Sequence, residues 1–360
     1  MTTLPHDRSD LLWKGGESAG PSALFADSID RWVDAMVADE HGGGGGTDGM
    51  LHASVVSKQS GVIAGMCGVD RLVERHFADC TLNWMFAEGQ TVEVGDRILR
   101  LEGPAEQVLR CERILLNLLG RLSGIATCTA GWVGSAGGLG IACTRKTEWG
   151  LLDKWAVHVG GGLTHRLDRS DALMIKENDL AVLAPDAADE TAAVAAAVSG
   201  IEMASNAIFT VVEVRDEFQA IAAAGAWAEM QVARSSTDRI VLLLDNMGVN
   251  GCAEAHEALI AEGLRAWCIL EGSGGVVRAE LDDWVASGVD LISTSAINRG
   301  VAPVPYTHPR AHETLRYLVC RLLLEKKKIL HMPLTNIINT YSTPHLLAHT
   351  PRETLLFILR

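Results

Sequence analysis

Six short apolar runs in this sequence end in charged or small polar residues whose types are suited to chemistry. In chain order, the residues at or near these ends are Thr144, Arg145, Lys146, Lys176, Glu213, Asp245, Ser273, Gly274, Gly275, Thr294, Ser295 and Ala296. Lysine and arginine bind oxyanions, and two carboxylates suit Mg²⁺ together with substrate oxygens. A Ser-Gly-Gly turn exposes backbone N–H groups that can hold a phosphate. Together these residue types predict a site for a polyanionic substrate and a divalent metal.

A glycine-rich loop between the first two runs adds to this set. Three glycines at 160–162 lead into His165 and Arg166, which supply a titratable imidazole and another cation. Lys176 could also act as a nucleophile, because a lysine at the end of a strand can form a Schiff base with a carbonyl substrate. The residue types alone therefore leave an aldolase open as a more distant alternative.

The apolar runs recur at roughly 30-residue spacing, which is typical of βαβ units and a parallel sheet. They span Ile141–Thr144, Ala172–Ile175, Ile208–Val214, Ile240–Leu244, Ala266–Leu270 and Val289–Ser293. No G-x-G-x-x-G sequence follows the first run, which favours a barrel over a dinucleotide-binding sheet. Because all strands of a parallel barrel end at one face, we expect the run-end residues to meet at one mouth.

The sequence before the first run has a different pattern. Alternating apolar residues and turn signals over 51–103 predict a small sheet, and helical spacing follows over 104–136. The five glycines at 42–46 lack the Gly-Lys-Ser/Thr that completes a phosphate-binding loop, so we interpret them as a flexible surface insertion. The predicted organisation is an N-terminal segment (1–50), a sheet-containing domain (51–128), a barrel domain (129–302) and a tail (303–360).

The composition excludes several classes of protein. The 360 residues include 31 Lys and Arg against 45 Asp and Glu, a net charge of −14, which argues against a nucleic-acid partner. Eight scattered cysteines form no C-x-x-C pair, so no zinc or redox motif is predicted. The N-terminus has no signal-peptide pattern, and the apolar runs are shorter than the ~18 residues of a membrane span. We therefore expect a cytoplasmic protein without membrane contact.

The tail differs in charge from the rest of the chain. The last sixty residues contain 8 Lys and Arg against 3 Asp and Glu. One interpretation is a basic amphipathic helix over 315–329 that binds an acidic partner or a membrane surface. The simpler interpretation is a non-native extension or a change of reading frame.

Several strings of the sequence match one known family in order. They are RILLNLLGRLSGIATCT, TRKTEWGLLDKWAVHVGGGLTHR, DALMIKEN, LLLDN and EGSGG. Over residues 51–299 the chain resembles quinolinate phosphoribosyltransferase (nicotinate-nucleotide pyrophosphorylase, carboxylating). The resemblance implies an N-terminal α/β sandwich domain, an incomplete parallel α/β barrel and a homodimer. It also implies conversion of quinolinate and phosphoribosyl pyrophosphate, with Mg²⁺, into nicotinate mononucleotide, pyrophosphate and CO₂ in de novo NAD biosynthesis.

The resemblance implies a catalytic group of two lysines and two carboxylates. Lys146 and Lys176 would lie between quinolinate and the pyrophosphate. Glu213 and Asp245 would hold Mg²⁺ and the ribose hydroxyls.

Substrate binding is implied for further residues. The quinolinate carboxylates would be held by Arg145, His165, Arg166 and, reaching in from the neighbouring subunit, Arg113. The 5′-phosphate cradle would comprise Ser273, Gly274, Gly275, Thr294, Ser295 and Ala296, and the resemblance also places Thr144 in the substrate site.

Several positions depart from the usual residues of the family. The departures are Trp149 for proline, Thr164 for asparagine, Ser295 for glycine, Arg299 for histidine, and Glu177 and Asp179 within the usual Lys-Asp-Asn-His. Two alternatives stay open as a result: a molybdenum-transport-associated paralogue and a non-catalytic, anion-binding homologue. The presence of Lys176 together with His165 and Arg166 favours the phosphoribosyltransferase, because the paralogue typically lacks that lysine.

Overall fold

The computed structural model describes residues 4–16, 19–40, 49–202 and 208–307. The glycine run at 42–46 and the predicted helix at 315–329 lie outside the described residues. Within them, an antiparallel sheet with long helices precedes a parallel sheet with helices, which confirms the predicted α/β fold class.

The N-terminal part consists of short antiparallel strands packed against helices. Its helices are α1 (Ala23–Asp39), α2 (Met66–His76) and α3 (Ala105–Ser135). Its strands are β1 (Trp13–Lys14), β2 (Gly20–Pro21), β3 (Met50–Ser57), β4 (Gly61–Val62), β5 (Thr81–Trp84), β6 (Thr91–Val92) and β7 (Arg97–Pro104). Strand β14 (Tyr306–Thr307) comes from the segment predicted to begin the tail. It joins β3, β7 and β5 in a four-stranded sheet of order β14-β3-β7-β5, while β1 pairs with β2 and β4 with β6.

The second part is a curled parallel sheet. Its strands are β8 (Gly140–Cys143), β9 (Leu173–Ile175), β10 (Thr210–Val214), β11 (Ile240–Asp245), β12 (Cys268–Ser273) and β13 (Leu291–Thr294). The helices are α4 (Leu151–Val159), α5 (Glu177–Leu183), α6 (Glu190–Ser199), α7 (Glu217–Ala233), α8 (Gly248–Ala261) and α9 (Leu281–Ala286). The order β8-β13-β12-β11-β10-β9 pairs the first strand with the last, while β8 and β9 share no ladder in the described chain. The sheet is therefore a barrel that stays open on one side.

Alternation along each strand separates the inside of the barrel from its outside. The inward positions form a small apolar cluster of their own, which includes Val211, Val241 and Leu291. Their neighbours in sequence, such as Val212 and Leu242, belong to the larger core beneath the helices. Because side chains of a strand alternate between its two faces, residues two positions further along also point inward. Charged residues at those positions therefore face the barrel mouth.

Helix α3 holds the two parts together and lies partly in the core. It is long and apolar enough to cross a membrane by length and composition alone. In this fold, however, Leu115, Leu118 and Leu119 on it are buried, and the core helix of a soluble protein has the same composition. The predicted domain boundary at residue 128 falls inside this helix.

The triple glycine after α4 permits a close approach to α3. A Cβ at position 160 would lie 2.4 Å from the carbonyl oxygen of Ala126 and 2.7 Å from Cβ of Thr129. Gly162 is confined in the same way, with the Thr129 and Val157 side chains each 2.7 Å from its own would-be Cβ. These glycines bring the segment that follows, with His165 and Arg166, under the open side of the barrel.

A buried ion pair fixes the loop that follows β8. The carboxylate of Asp153, which is fully buried, accepts hydrogen bonds from Arg121 Nη2 at 2.8 and 3.0 Å. It also accepts the backbone N–H groups of Glu148 and Trp149 at 2.9 and 3.3 Å. The Arg121 guanidinium in turn lies 4.9 Å from the Trp149 ring centre. Asp153 therefore ties α3 to the loop that carries Arg145 and Lys146.

We predict that Gly160→Ala lowers the free energy of unfolding by about 1–3 kcal/mol, because the backbone of α3 cannot move away from the added methyl group. Gly134→Ala is the matched control. Gly134 is exposed on the same helix with nothing within 4 Å of its would-be Cβ, so this change should raise the free energy of unfolding by about 1 kcal/mol. Urea unfolding measures both, and equal effects would contradict the packing argument.

We predict that Asp153→Asn destabilises the protein by about 3 kcal/mol, because the mostly buried Arg121 guanidinium loses its buried anionic partner and retains the exposed Glu148. Asp34→Asn makes the same change in the exposed pair with Arg75 and should cost far less. Thermal unfolding of the two variants side by side gives the comparison. A loss for Asp153→Asn no greater than that for Asp34→Asn would show that the pair is not structural.

Candidate active site

A cavity of about 290 Å³ opens at the carboxyl ends of the barrel strands. The predicted site residues that line it are Thr144, Arg145, Lys146, His165, Arg166, Lys176, Asp245 and Ser273. Its other lining residues are Met174, Leu243, Glu271 and Ser293. These four occupy inward positions on β9, β11, β12 and β13, so they form the floor of this inner cavity.

A second cavity, of about 650 Å³, adjoins the first and shares Thr144, Lys146, Asp245, Ser273 and Ser293 with it. The predicted phosphate-cradle residues that line this outer cavity are Ser273, Gly274, Gly275, Thr294, Ser295 and Ala296. Arg299, which departs from the family's usual histidine, lines it as well. A cationic inner cavity therefore opens into a wider space bordered by small residues.

The turn after β12 depends on glycine for its close approach to the neighbouring strand end. Gly274 has φ +98°, and a Cβ there would lie 2.2 Å from Oδ1 of Asn246. Asn246 itself has φ +57° and donates from Nδ2 to Asp245 Oδ2 at 2.7 Å. The Gly274 turn and the orientation of the Asp245 carboxylate are thus coupled through Asn246.

Two predicted residues lie outside the lining of these cavities. Arg113 is exposed on α3. Glu213 projects from β10 and forms an ion pair with Lys176, so it is next to the inner cavity through that lysine. The structure therefore brings together most of the predicted residues, with Arg113 apart from them within a single chain.

The charge of the inner cavity is mostly positive. Arg145, Lys146, Arg166 and Lys176 line it, against the carboxylates of Asp245 and Glu271. Burial lowers the pKa of Arg166 from its ordinary value, and the nearby positive charge of Arg145 acts in the same direction. Arg166 still stays charged at neutral pH, because a guanidinium does not lose its proton in proteins. Such a cluster of like charges is relieved by binding an anion.

Glu213 and Asp245 offer the oxygen ligands that a hard divalent cation prefers. Glu213 lies opposite Leu243 in the β10–β11 ladder, so Asp245 is two residues further along the adjacent strand and on the same inner face. Asp245 lines both cavities, and Glu213 is paired with Lys176, which lines the inner one. Their donor chemistry fits Mg²⁺ held jointly with substrate oxygens.

His165 is held rigidly at the edge of the inner cavity. Its backbone has φ +53°, a left-handed conformation that non-glycine residues adopt infrequently. Nε2 lies 3.0 and 3.1 Å from the two carboxylate oxygens of Glu271, and the Arg166 backbone N–H donates to Nδ1 at 2.7 Å. Both ring nitrogens are therefore engaged by the protein in this arrangement.

Glu271 and His6 were not predicted as site residues. Glu271 is almost fully buried, and His6 Nε2 lies 3.1 Å from its second oxygen. Burial acts to raise the pKa of Glu271, but the two imidazoles outweigh it and keep the pKa well below the ordinary value. The inward position of Glu271, two residues before Ser273, was a signal in the sequence. His6 lies 265 residues away in the chain and gave none.

Comparison with known families accounts for most of the chain. Residues 35–123 match the quinolinate phosphoribosyl transferase N-terminal domain, and residues 125–305 match the C-terminal domain of the same family. His6 precedes both matches.

Individual relatives agree with these matches. The chain is 35% identical over 258 residues to a probable nicotinate-nucleotide pyrophosphorylase (carboxylating) of Methanothermobacter thermautotrophicus, covering 70% of this chain and 85% of the relative. It is 30% identical over 255 residues to the chloroplastic enzyme of that name from Arabidopsis thaliana, covering 70% and 71%. The structure of the Francisella tularensis nicotinate-nucleotide pyrophosphorylase superposes with a TM-score of 0.67 at 26% identity, covering 79% of this chain and 97% of that one. The chain belongs to the quinolinate phosphoribosyltransferase family.

Proposed function

We propose that this protein transfers the phosphoribosyl group of phosphoribosyl pyrophosphate to quinolinate with loss of CO₂, the nicotinate-nucleotide-forming step of de novo NAD biosynthesis. The observation that carries the proposal is the cavity lined by Arg145, Lys146, Arg166 and Lys176, which adjoins the wider cavity bordered by small residues. The relatives' names support the same reaction, and they do not favour the molybdenum-transport paralogue or the non-catalytic homologue.

Two anions of different size suit the two cavities. Quinolinate carries two carboxylates on a flat ring, and Arg145 and Arg166 offer guanidinium groups for them. The phosphoribosyl group is larger, and its 5′-phosphate would meet the turns at Gly274 and Ser295 in the outer cavity. Lys146 lines both cavities, so it is suited to contact both substrates and to fix the distance between them.

The chemistry asks mainly for positioning and for stabilisation of charge. The ring nitrogen of quinolinate forms a bond to C1 of the ribose while the C1–O bond to pyrophosphate breaks, and the electron pair leaves with pyrophosphate. Lys146 and Lys176 would stabilise this departing charge. The C2 carboxylate then leaves as CO₂, its bonding electrons stay on the ring beside the cationic nitrogen, and a proton replaces it. The substrate itself supplies the electron sink, so no organic cofactor is required.

Mg²⁺ is the proposed metal, with Glu213 and Asp245 as its protein ligands. When bound, the ion would neutralise pyrophosphate oxygens and hold the ribose hydroxyls. Lys176 and Glu213 form an ion pair with each other. On binding, Lys176 would turn to the substrate anion and Glu213 to the cation. Each charged group then keeps a partner of opposite sign.

A homodimer is the proposed assembly, and the cytoplasm the proposed location. Arg113 is exposed on α3 and lines neither cavity of its own chain. In a symmetric dimer, an exposed arginine of one subunit can complete the anion site of the other. We propose this role for Arg113.

We predict that the purified protein with Mg²⁺ converts quinolinate and phosphoribosyl pyrophosphate into nicotinate mononucleotide, and that chelation of the metal abolishes the reaction. Lys146→Ala and Arg166→Ala should each lower kcat/KM by at least about 100-fold, because each removes a charge from the transition-state site. Their thermal unfolding should stay close to that of the parent. Liquid chromatography of the product gives the rates.

The controls separate the competing functions. Arg169→Ala removes an exposed arginine that lines neither cavity and should leave the rates near those of the parent. If product formed from nicotinate and not from quinolinate, the substrate would be nicotinate and the proposed substrate would be wrong. Absence of product with either substrate would favour the non-catalytic homologue, and near-parental kcat in Lys146→Ala or Arg166→Ala would refute the site assignment.

We predict that mixing two inactive variants restores activity if Arg113 acts across a dimer. Arg113→Ala and Lys146→Ala damage different halves of one composite site, so a hybrid dimer contains one intact site. With random pairing in a symmetric dimer, about a quarter of the parental activity should return. Native mass spectrometry verifies the hybrid, and a verified hybrid without activity would show that Arg113 does not cross.

A further inference from the structure

The N-terminal segment, residues 4–12, lies against both sides of the opening in the barrel. Leu4 packs on the apolar cluster inside the barrel, and its side chain is 2.9 Å from the would-be Cβ of Gly140 at the start of β8. On the other side, Arg8 Nε donates to Asp171 at 3.0 Å, two residues before β9 begins. The segment thus covers the side where β8 and β9 do not pair.

The same segment is hydrogen-bonded to the loop that contains His165 and Arg166. The hydroxyl of Thr164 accepts the Arg8 backbone N–H at 2.7 Å and donates to the His6 carbonyl at 3.3 Å. Asp171, which Arg8 holds, accepts the backbone N–H of Leu167 at 3.0 Å. The loop from residue 164 to 167 is therefore fixed at both of its ends by residues of the N-terminal segment.

A line of hydrogen bonds leads from His6 to Arg166 through the barrel interior. His6 Nε2 donates to Glu271, His165 Nε2 donates to the same carboxylate, and the Arg166 backbone N–H donates to His165 Nδ1. The rings of His6 and His165 meet edge to face, with centres 4.9 Å apart. His6, His165 and Glu271 are all almost fully buried, so water does not compete with these bonds.

Two imidazoles and a carboxylate in one place are also a possible metal-ligand set. The tautomer of His165 argues against that interpretation. Because its Nδ1 accepts the Arg166 N–H, the ring proton is on Nε2, which therefore has no lone pair for a metal. Histidines that bind metals instead donate their second ring N–H to a neighbouring acceptor. The cluster is a hydrogen-bonded support.

We propose that His6 is a positioning residue for the substrate site, acting through Glu271 and His165 on Arg166. An imidazole fills this place at a cost, since His6 Nδ1 is buried without a partner among the described residues. A phenylalanine would fill the same space beside Phe209 without that cost. What the imidazole adds is a donor to Glu271, which keeps the carboxylate facing His165.

Hydrogen exchange of the 164–167 loop tests the proposal independently of any activity. In His6→Phe, peptides covering residues 163–170 should exchange on the order of tenfold faster than in the parent, because the support of the Arg166 and Leu167 amides is loosened. His6→Gln places an amide N–H where Nε2 lies and should restore parental exchange. His6→Asn, whose amide is too short to reach Glu271, should behave like His6→Phe and replaces it if that variant does not fold.

Kinetics test the consequence for the substrate, and this part rests on the proposed function. His6→Phe should raise the KM for quinolinate about tenfold while kcat and the KM for phosphoribosyl pyrophosphate change less than twofold, since Arg166 binds the carboxylates. His158→Ala is the matched control, because His158 contacts the same segment at Asp7, 3.5 Å away, without touching Glu271.

The outcomes separate the two ideas. Parental exchange in His6→Phe, or equal rises in the KM for quinolinate in His6→Phe and His158→Ala, would overturn the positioning role. Exchange in His6→Gln as fast as in His6→Phe would overturn it as well. A fall in kcat with unchanged KM would overturn it too, since general loss of structure would then explain the effect. A parent protein without turnover would refute the proposed function, and the exchange data would still decide the role of His6.

Discussion

The alternation of side chains along the parallel strands is the constraint on which the site depends. Within two residues, β10 changes from an inward valine to an inward glutamate, and β11 passes through Leu243 to Asp245. Below this level the barrel is filled by apolar side chains, and above it by charges and hydroxyls. A shift of one residue in any strand would turn its charge toward the helices, where burial without a partner is costly. The packing of the barrel thus fixes both the direction and the height of the charged groups.

Clustering cations at one mouth destabilises the folded chain, and the surroundings of the site limit that cost. Lys176 is paired with Glu213, and the loop that carries Arg145 and Lys146 is tied to α3 through the buried Asp153. The loop therefore holds its place without an anion in the cavity. A site with this arrangement loses little conformational entropy when the substrate binds, because its cations are already close to one another.

Regular spacing explains what the sequence could predict. Each apolar run ends within three residues of the end of its strand, so residue types at the run ends could be assigned to one face. Of all the predicted site residues, only Arg113 and Glu213 line neither cavity. The rigid place of His165 could not be found this way, because it depends on the backbone of a loop and on Glu271 and His6, which lie 106 and 265 residues away from their partners. Arg113 marks a different limit, because its role across a dimer is implied by the family resemblance and a single chain does not contain the neighbouring subunit.

The open side of the barrel has a consequence for how the substrate arginine is held. In a closed barrel, β8 and β9 would pair with each other and fix the segment between them. Among the described residues, the β-type pairing on this side of β8 is a single bridge between Ala142 and Leu163. The left-handed backbone of His165 costs free energy, so this segment needs restraint from its surroundings. Lys154 Nζ donates to the Thr164 carbonyl at 2.6 Å, and the Thr164 hydroxyl bonds to the backbone of His6 and Arg8. The contact of the partly buried Leu4 with the apolar cluster inside the barrel, and the buried Arg8–Asp171 pair beside it, anchor residues 4–8 in this place.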